Sequence, residues 1–290
     1  MEYRQLGSSA LKVSAIGLGS WLFGKQGWGA VDDNESIETI HLAIDNGINF
    51  IDTAPIYGLG HSETIIGKAL KQKRDKVILA SKCGLSNNYL HDLSAAAIQE
   101  ELKASLQRLQ TDYIDLYQPH WPDPNTSVEE TIETLLSLKK KGLIREIGFC
   151  NHPVSDLKKV IKLKHITSTQ NQYSMINQDI EKELIPFANT NNLGVIVYGA
   201  LHGGLLSGKY TSAPNIPRKE AKSFFYNLNQ EQQWNKAKPI LQKLKETSKQ
   251  SSRTIPSEVL TWTMSQKGIT TVLIGARNRQ QLEDSLEKLF

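Results

Sequence analysis

Asp52, Tyr57, Lys82 and His120 are the residues of this chain whose types and spacing best suit joint chemistry. Asp52 and Tyr57 belong to the run Asp52-Thr53-Ala54-Pro55-Ile56-Tyr57-Gly58, which leaves the end of a short apolar segment; Lys82 closes the next such segment and His120 follows the one after. A phenol gives up its proton near pH ~10, so a tyrosine acting as general acid near neutrality calls for a neighbouring cation to bring that value down. Lys82 is the candidate cation, Asp52 its ion-pair partner that keeps it charged, and His120 a hydrogen-bonding group able to hold a substrate oxygen. Any one of these at a strand end is more often a cap or a salt bridge. Four of them ending three successive strands point to a proton-transfer site, provided that the strands lie side by side.

The surrounding pattern supplies such strands. Short apolar runs suited to buried parallel strands occur at 16–19, 49–52, 77–82, 113–118, 144–149, 167–173, 195–198 and 271–274. Helical periodicity recurs between and after them, near 33–46, 62–71, 94–109, 128–141, 154–163, 179–190, 256–266 and 278–288. Eight βα units predict an α/β fold closed into a (β/α)8 TIM barrel, a single domain over residues 1–290, with its chemistry at the carboxyl ends of the strands. Residues 3–6 and 11–13, joined across Gly7-Ser8-Ser9, read as an N-terminal β-hairpin across the barrel floor. Three loops on the opposite face, 20–32, 119–127 and 199 to about 230, are longer than a βα turn needs. They carry Trp21, Phe23, Trp28, Trp121, Phe224, Phe225 and Tyr226, an aromatic rim suited to an apolar or carbonyl-bearing small molecule.

Composition narrows the function classes. The 34 basic and 30 acidic residues of the 290 give a net charge of +4, and the basic ones are scattered over helix faces without a dense aromatic-interleaved cluster, which argues against nucleic acid as a partner. The amino terminus is polar, with no signal-peptide core and no long apolar span. Cys83 and Cys150, far apart and each near a strand end, suit a reducing compartment better than a disulfide framework. A cytoplasmic protein, monomeric or weakly homo-oligomeric and away from membranes, is expected.

The run DTAPIYG at 52–58, followed by Glu63, Gly67 and Ala69-Leu70, resembles the aldo-keto reductase signature. The similarity continues through Ser81-Lys82, YIDLYQPHWPD at 113–123, GLIREIGFCN at 142–151, QNQYS at 170–174, YGALHGGLLSGKY at 198–210 and IGARN at 274–278, so it covers the whole chain. The segment GWGAVDDNESI before the second barrel strand is similar to bacterial members of the general-stress and inositol-utilisation type. The resemblance implies an NAD(P)H-dependent oxidoreductase without metal, in which Tyr57 is the general acid, Lys82 and Asp52 tune it, and His120 orients a small-molecule carbonyl substrate. It also implies that NADPH is held without a Rossmann unit, and no G-x-G-x-x-G opens the first helix.

By the same resemblance Asn151 and Gln170 match the positions that hydrogen-bond the carboxamide, and Tyr198 the aromatic under the nicotinamide ring. Ser20, Trp21 and Gly275 also fall at cofactor positions. Gly199, Leu201, Gly203, Gly208 and Lys209 belong to the segment resembling the pyrophosphate cover, where glycines let backbone N–H groups approach phosphates. Arg277 precedes a helix opening Asn278-Arg279-Gln280-Gln281, read as an N-cap with a capping-box partner in Gln281 and as a site for the 2′-phosphate. Cys150 stands where many relatives have serine, and Asp284 and Ser285 replace the glutamate and asparagine usual around the adenine, which bears on adenine contacts and affinity. Because the chain stops at Phe290, directly after its last helix, an open pocket of broad selectivity is expected, with Trp28 and Trp121 as substrate walls.

The leading expectation is reduction of aldehydes or ketones to alcohols. The same residues would serve a sugar or polyol dehydrogenase running the reaction in reverse. A regulatory role like that of potassium-channel β subunits is disfavoured because nothing resembling their extra amino-terminal segment precedes Met1. A metal-dependent barrel hydrolase built on His120, His152 and Asp123 would commonly show an H-x-H at a strand end, and the sequence has none.

Overall fold

The structure is a computed structural model that describes residues 1–25, 27–29, 31–163 and 165–289. Gln26, Ala30, Lys164 and Phe290 lie outside the described residues; Ala30 falls within the GWGAVDDNESI segment, and Phe290 is the residue at which the chain stops.

In chain order the elements are β1 (Tyr3–Gln5), β2 (Lys12–Ser14), β3 (Ile16–Gly19), α1 (Asp33–Asp45), β4 (Phe50–Asp52), α2 (His61–Leu70), β5 (Ile78–Cys83), α3 (Ala95–Leu109), β6 (Ile114–Pro119) and α4 (Val128–Lys140). They continue as β7 (Ile144–Cys150), α5 (Val154–Val160), β8 (Ile166–Gln172), α6 (Leu184–Thr190), β9 (Gly194–Tyr198), α7 (Ala221–Phe225), α8 (Glu231–Ser251), α9 (Ile255–Ser265), β10 (Thr271–Ile274) and α10 (Arg279–Leu286). Strands β3 to β10 form a closed parallel barrel in sequence order, with β10 pairing both β9 and β3. This is the (β/α)8 TIM barrel that the eightfold alternation predicts.

Helix starts follow from side chains that accept the free N–H groups of a first turn. Asp32 caps α1 through Asn34 and Glu35, Ser127 and Glu130 form a reciprocal capping box on α4, and Thr254 caps α9. Alternation along the strands then sorts the side chains. Ile51, Leu79, Tyr117, Ile147, Phe149, Val195, Val197 and Val272 belong to the layer between barrel and helices. Phe50, Ala80, Leu116, Ile196 and Leu273 fill the barrel interior, and Leu6 and Val13 of the hairpin join the same cluster. The β1–β2 hairpin is tied to the barrel by Asn49 Oδ1, which accepts from Ser14 N at 2.7 Å, and by Thr271 Oγ1, which donates to Ser14 O at 2.8 Å. Two residues beyond the inward Phe50, Ala80, Leu116 and Ile196 come Asp52, Lys82, Gln118 and Tyr198. The strand period that fills the core therefore also delivers polar groups to the carboxyl-end mouth.

Two segments depart from the sequence reading. The helical pattern at 179–190 is a 3-10 turn at Asp179–Glu181 followed by α6, with Pro186 inside the helix's first turn, where its missing N–H costs nothing. Residues 231–251, to which the pattern assigned no element, form the 21-residue α8. It buries only Ala237, Leu241 and Leu244 and carries Pro239 on its exposed face, so its apolar stripe is narrow and interrupted by a residue that normally ends helices.

One partly buried acid, Glu101 of α3, faces the loop that follows β5. Glu101 accepts the Gly84 N–H at 2.6 Å, and burial pushes its carboxyl up from 4.5 to about 7. The unfolded chain releases this proton near pH 4.5 while the folded chain keeps it to about 7, so stability falls across that window and stays reduced above it. The shift corresponds to about 3 kcal/mol. Glu101→Gln, which still offers an oxygen to Gly84, is expected to raise stability at pH 8 by up to that amount and to change little at pH 4. Urea titrations at the two pH values check this, and an equal effect at both would refute it.

Candidate active site

At the centre of the barrel mouth Lys82, fully buried, donates from Nζ to Asp52 Oδ1 at 2.5 Å, to the Thr53 carbonyl at 2.9 Å and to the Tyr57 hydroxyl at 3.3 Å. β4 and β5 pair in register, and Tyr57 sits in the turn that leads from β4 into α2. His120 follows β6, its ring 5.8 Å from that of Tyr57 and edge-on to it. The structure thus brings all four residues together.

Electrostatics sharpen their roles. Burial first, and the Asp52 charge second, push the Tyr57 hydroxyl well above the usual phenol value, although part of the ring faces the cavity. Lys82 was expected to lower that value. In the resting arrangement burial and the Asp52 charge outweigh it, and its ammonium lies nearer to Asp52 and Thr53 than to Tyr57. Tyr57 consequently keeps its proton throughout the neutral range. Burial first, and the Lys82 charge second, hold the His120 imidazole well below its ordinary value, so it is neutral at pH 7. Among the described residues no side-chain hydrogen bond engages its ring.

These groups open onto a cavity of about 980 Å³. Asp52, Tyr57 and His120 line it, as do Ser20, Trp21, Trp28, Trp121, Asn151, Gln170, Tyr198, Gly199, Leu201, Gly203, Lys209, Gly275, Arg277, Gln281, Asp284 and Ser285. Of the residues named from sequence, Lys82 lies beneath the wall, and Gly208 faces Ile255 of α9 and not the cavity. Trp21 stacks over Tyr57 at 5.9 Å and meets Trp28 and Phe225 edge-on at 5.0 and 5.1 Å. The 20–32 and 199–230 loops touch across the groove, where Ala221 N donates to Gly27 O at 2.8 Å.

Deeper contacts link the remaining candidates. Tyr198 donates to Asn151 Oδ1 at 2.8 Å, and Asn151 Nδ2 donates to the His120 carbonyl at 3.0 Å. Gln170 Nε2 donates to Asp52 Oδ2 at 2.9 Å, and the Cys150 thiol lies 3.5 Å from Gln170 Oε1. The capping at α10 differs slightly from the expected box: Asn278 accepts from Gln281 N, whereas Gln281 Oε1 accepts from Arg277 N and not from the cap residue itself.

The far end of the cavity fits an anionic nucleotide. Among the described residues, neither Lys209 nor Arg277 is paired with a carboxylate, and Arg277 reaches only the Trp28 carbonyl at 3.4 Å. Burial first, then the charges of Lys222 and Arg277, lower Lys209 from its ordinary value against a smaller opposing effect of Glu220, which pairs with Lys222 at 2.8 Å. Gly203 and Gly204, with φ of 64° and 90°, expose backbone along this stretch. Among the described residues no group of three or more His, Cys, Asp or Glu is placed to hold a metal ion; His152 instead contacts Asp156, and Asp123 accepts from Leu93 N and Asn125 N. No described helix is long and apolar enough to cross a membrane.

Sequence reasoning missed the 84–93 loop, which adds Leu85, Tyr89 and His91 to the cavity wall, and it missed Gln118, fully buried with Nε2 3.5 Å from Asp52 Oδ2. The loop was detectable because it follows β5, the strand that carries Lys82. Gln118 was detectable as a polar residue in an otherwise apolar strand, two positions before His120.

Comparison with known proteins accords with this geometry. Residues 15–290 match the aldo/keto reductase family. YhdN, an aldo-keto reductase of Bacillus subtilis (strain 168), is 38% identical over 300 residues, spanning 98% of this chain and 87% of the relative. The NADH-specific methylglyoxal reductase of Escherichia coli (strain K12) is 33% identical, spanning 100% of this chain and 94% of the relative. The solved structure of the glycerol dehydrogenase AKR11B4 from Gluconobacter oxydans superposes with a TM-score of 0.88 at 31% identity, covering 99% of this chain and 90% of that one. Fold and matches together define a (β/α)8-barrel oxidoreductase. The chain belongs to the aldo/keto reductase family, whose members use nicotinamide cofactors and act on small-molecule carbonyl compounds.

Proposed function

We propose that this protein reduces aldehydes or ketones to alcohols with NADPH, Tyr57 giving its proton to the carbonyl oxygen. The observation that carries the reading is the Tyr57 hydroxyl on the cavity wall, 3.3 Å from the Lys82 ammonium and beside a neutral His120. When bound, the nicotinamide cofactor supplies the hydride that such a reduction needs. Asn151 and Gln170 would hold its carboxamide, Tyr198 would stack on its ring, and Lys209 and Arg277 would meet its phosphates. His120 hydrogen-bonds the substrate oxygen, while Trp21, Trp28, Trp121 and Phe225 exclude water and seat the rest of the substrate. As the Tyr57 proton leaves, the growing phenolate charge faces Lys82, so the ammonium acts on the transition state more than on the resting phenol.

The same reading takes residues 1–290 as one barrel domain in the cytoplasm, monomeric or weakly associated; its two cysteines are free and buried, which suits a reducing compartment. Its direct test is to follow NADPH and NADH oxidation by the purified protein against a panel of aldehydes, ketones, quinones and sugars. Absence of carbonyl-dependent oxidation of either cofactor would overturn it. The glycerol dehydrogenase neighbour favours one second reading, oxidation of a polyol by the same residues, which NADP⁺ reduction assays with polyols address.

NADPH over NADH rests on Arg277, whose guanidinium fork beside the N-terminus of α10 suits a 2′-phosphate. The NADH-specific relative makes this the point to measure. Arg277→Ala is expected to weaken NADPH by about ten- to a hundredfold, as charge-assisted contacts of this kind do, and NADH far less. Equal losses for both cofactors would mean that Arg277 only supports the Trp28 loop.

A further inference from the structure

Three phenols of the cavity wall, Tyr57, Tyr198 and Tyr226, stand close enough together for the charge of one to be felt by another. The Tyr57 hydroxyl reaches Lys82, and that of Tyr198 donates to Asn151. Tyr226 is only 6% exposed, yet among the described residues its hydroxyl has no hydrogen-bond partner. A buried polar group without a partner carries an uncompensated desolvation cost, so this hydroxyl calls for a partner from outside the chain.

The Tyr226 ring is packed against backbone. A Cβ at Gly199 would stand 3.0 Å from the Tyr226 hydroxyl and one at Gly203 2.8 Å from its ring, so both glycines, with φ of 78° and 64°, leave room for it. His202 and Phe225 also contact it, at ring-centroid distances of 5.3 and 5.0 Å. Among the described residues no acceptor meets the N–H groups of Gly199, Ala200 or Leu201, and all three residues line the cavity. Unused donors thus gather along one stretch of wall, the complement of an anion with several oxygens.

We infer that Tyr226 is a further cofactor-binding residue, its hydroxyl donating to the pyrophosphate in a cradle shared with the Gly199, Ala200 and Leu201 N–H groups. The inference rests on the proposed use of a nicotinamide cofactor. The segment runs from Tyr198, which would stack on the nicotinamide ring, to Lys209, which would meet phosphate, and the pyrophosphate is the part of the dinucleotide that joins those two ends. Burial keeps the Tyr226 proton in place throughout the neutral range, so the hydroxyl can donate to a phosphate oxygen. Because NADPH and NADH share the pyrophosphate, Tyr226 serves both equally, unlike Arg277.

Tyr226→Phe tests this, since it removes the oxygen and keeps the ring against both glycines. Dissociation constants read by tryptophan fluorescence should rise about tenfold for NADPH and NADH alike, the effect of losing one hydrogen bond to a charged group. ADP carries the pyrophosphate without the nicotinamide half, and in competition with NADPH it should lose as much. Without ligand the variant should unfold in urea at the parent's midpoint or above it, because the missing hydroxyl had no partner in the protein. A lower midpoint would reveal an internal partner and overturn the inference. So would ADP that fails to compete in the parent, or that is held equally well by parent and variant. A parent that binds neither NADPH nor NADH would overturn the proposed function itself, whereas a parent that binds both beside an equally tight Tyr226→Phe would overturn the inference alone.

Discussion

Tyr57→Phe is expected to bind NADPH with the parent's affinity and to lose ~10²- to 10⁴-fold in carbonyl reduction, the usual contribution of a positioned general acid. The change removes one oxygen. Trp21 still has a ring to stack on at the same place, and the contacts joining Asn151, Tyr198 and the His120 carbonyl do not involve that oxygen. Binding and turnover should therefore separate, which a collapsed pocket would not allow. The pH profile of the parent adds a second reading. Burial holds the Tyr57 proton well above the usual phenol value, and the donor form exists below the pKa, so reduction should show no loss from Tyr57 ionisation between pH 6 and 9. Single-turnover measurements at saturating cofactor decide both points, and a Tyr57→Phe enzyme with near-parental turnover on several carbonyls would remove Tyr57 as the donor.

The barrel and its central quartet were legible because both follow from the strand period. Phe50 and Asp52, Ala80 and Lys82, and Leu116, Gln118 and His120 alternate on one inward face, so the apolar run that marks a strand also states which polar residues emerge at its carboxyl end. α8 was not legible, since a helix that buries three residues and contains Pro239 carries little periodic signal. The resting state of Tyr57 was not legible either. Sequence shows a lysine and a phenol at adjacent strand ends, but only distances reveal that Asp52 and Thr53 hold the ammonium more closely than Tyr57 does. The second amide on Asp52 was hidden for a related reason: a glutamine inside a strand gives no sign of which carboxylate it faces until the barrel closes and brings β6 and β8 around it.

Lys82→Met is expected to damage turnover and stability together, through different physical causes that can be pulled apart. The Lys82 and Asp52 side chains are 1% and 3% exposed, so removing the ammonium leaves a carboxylate without its ion partner in a water-poor interior, a change that costs about 3–5 kcal/mol. Turnover should fall for another reason. Tyr57 is already protonated at rest, and the missing cation is felt when charge grows on its oxygen; loss of such a preorganised partner costs ~10²- to 10³-fold. The double variant Asp52→Asn with Lys82→Met distinguishes the two effects. With no unpaired charge left in the barrel it should recover most of the lost stability, while the phenolate still lacks its counter-charge and reduction stays slow. Urea unfolding and single-turnover rates on parent, single and double variants provide the comparison. Recovery of turnover in step with stability would mean that Lys82 only holds the barrel mouth together, and that the proton moves without its help.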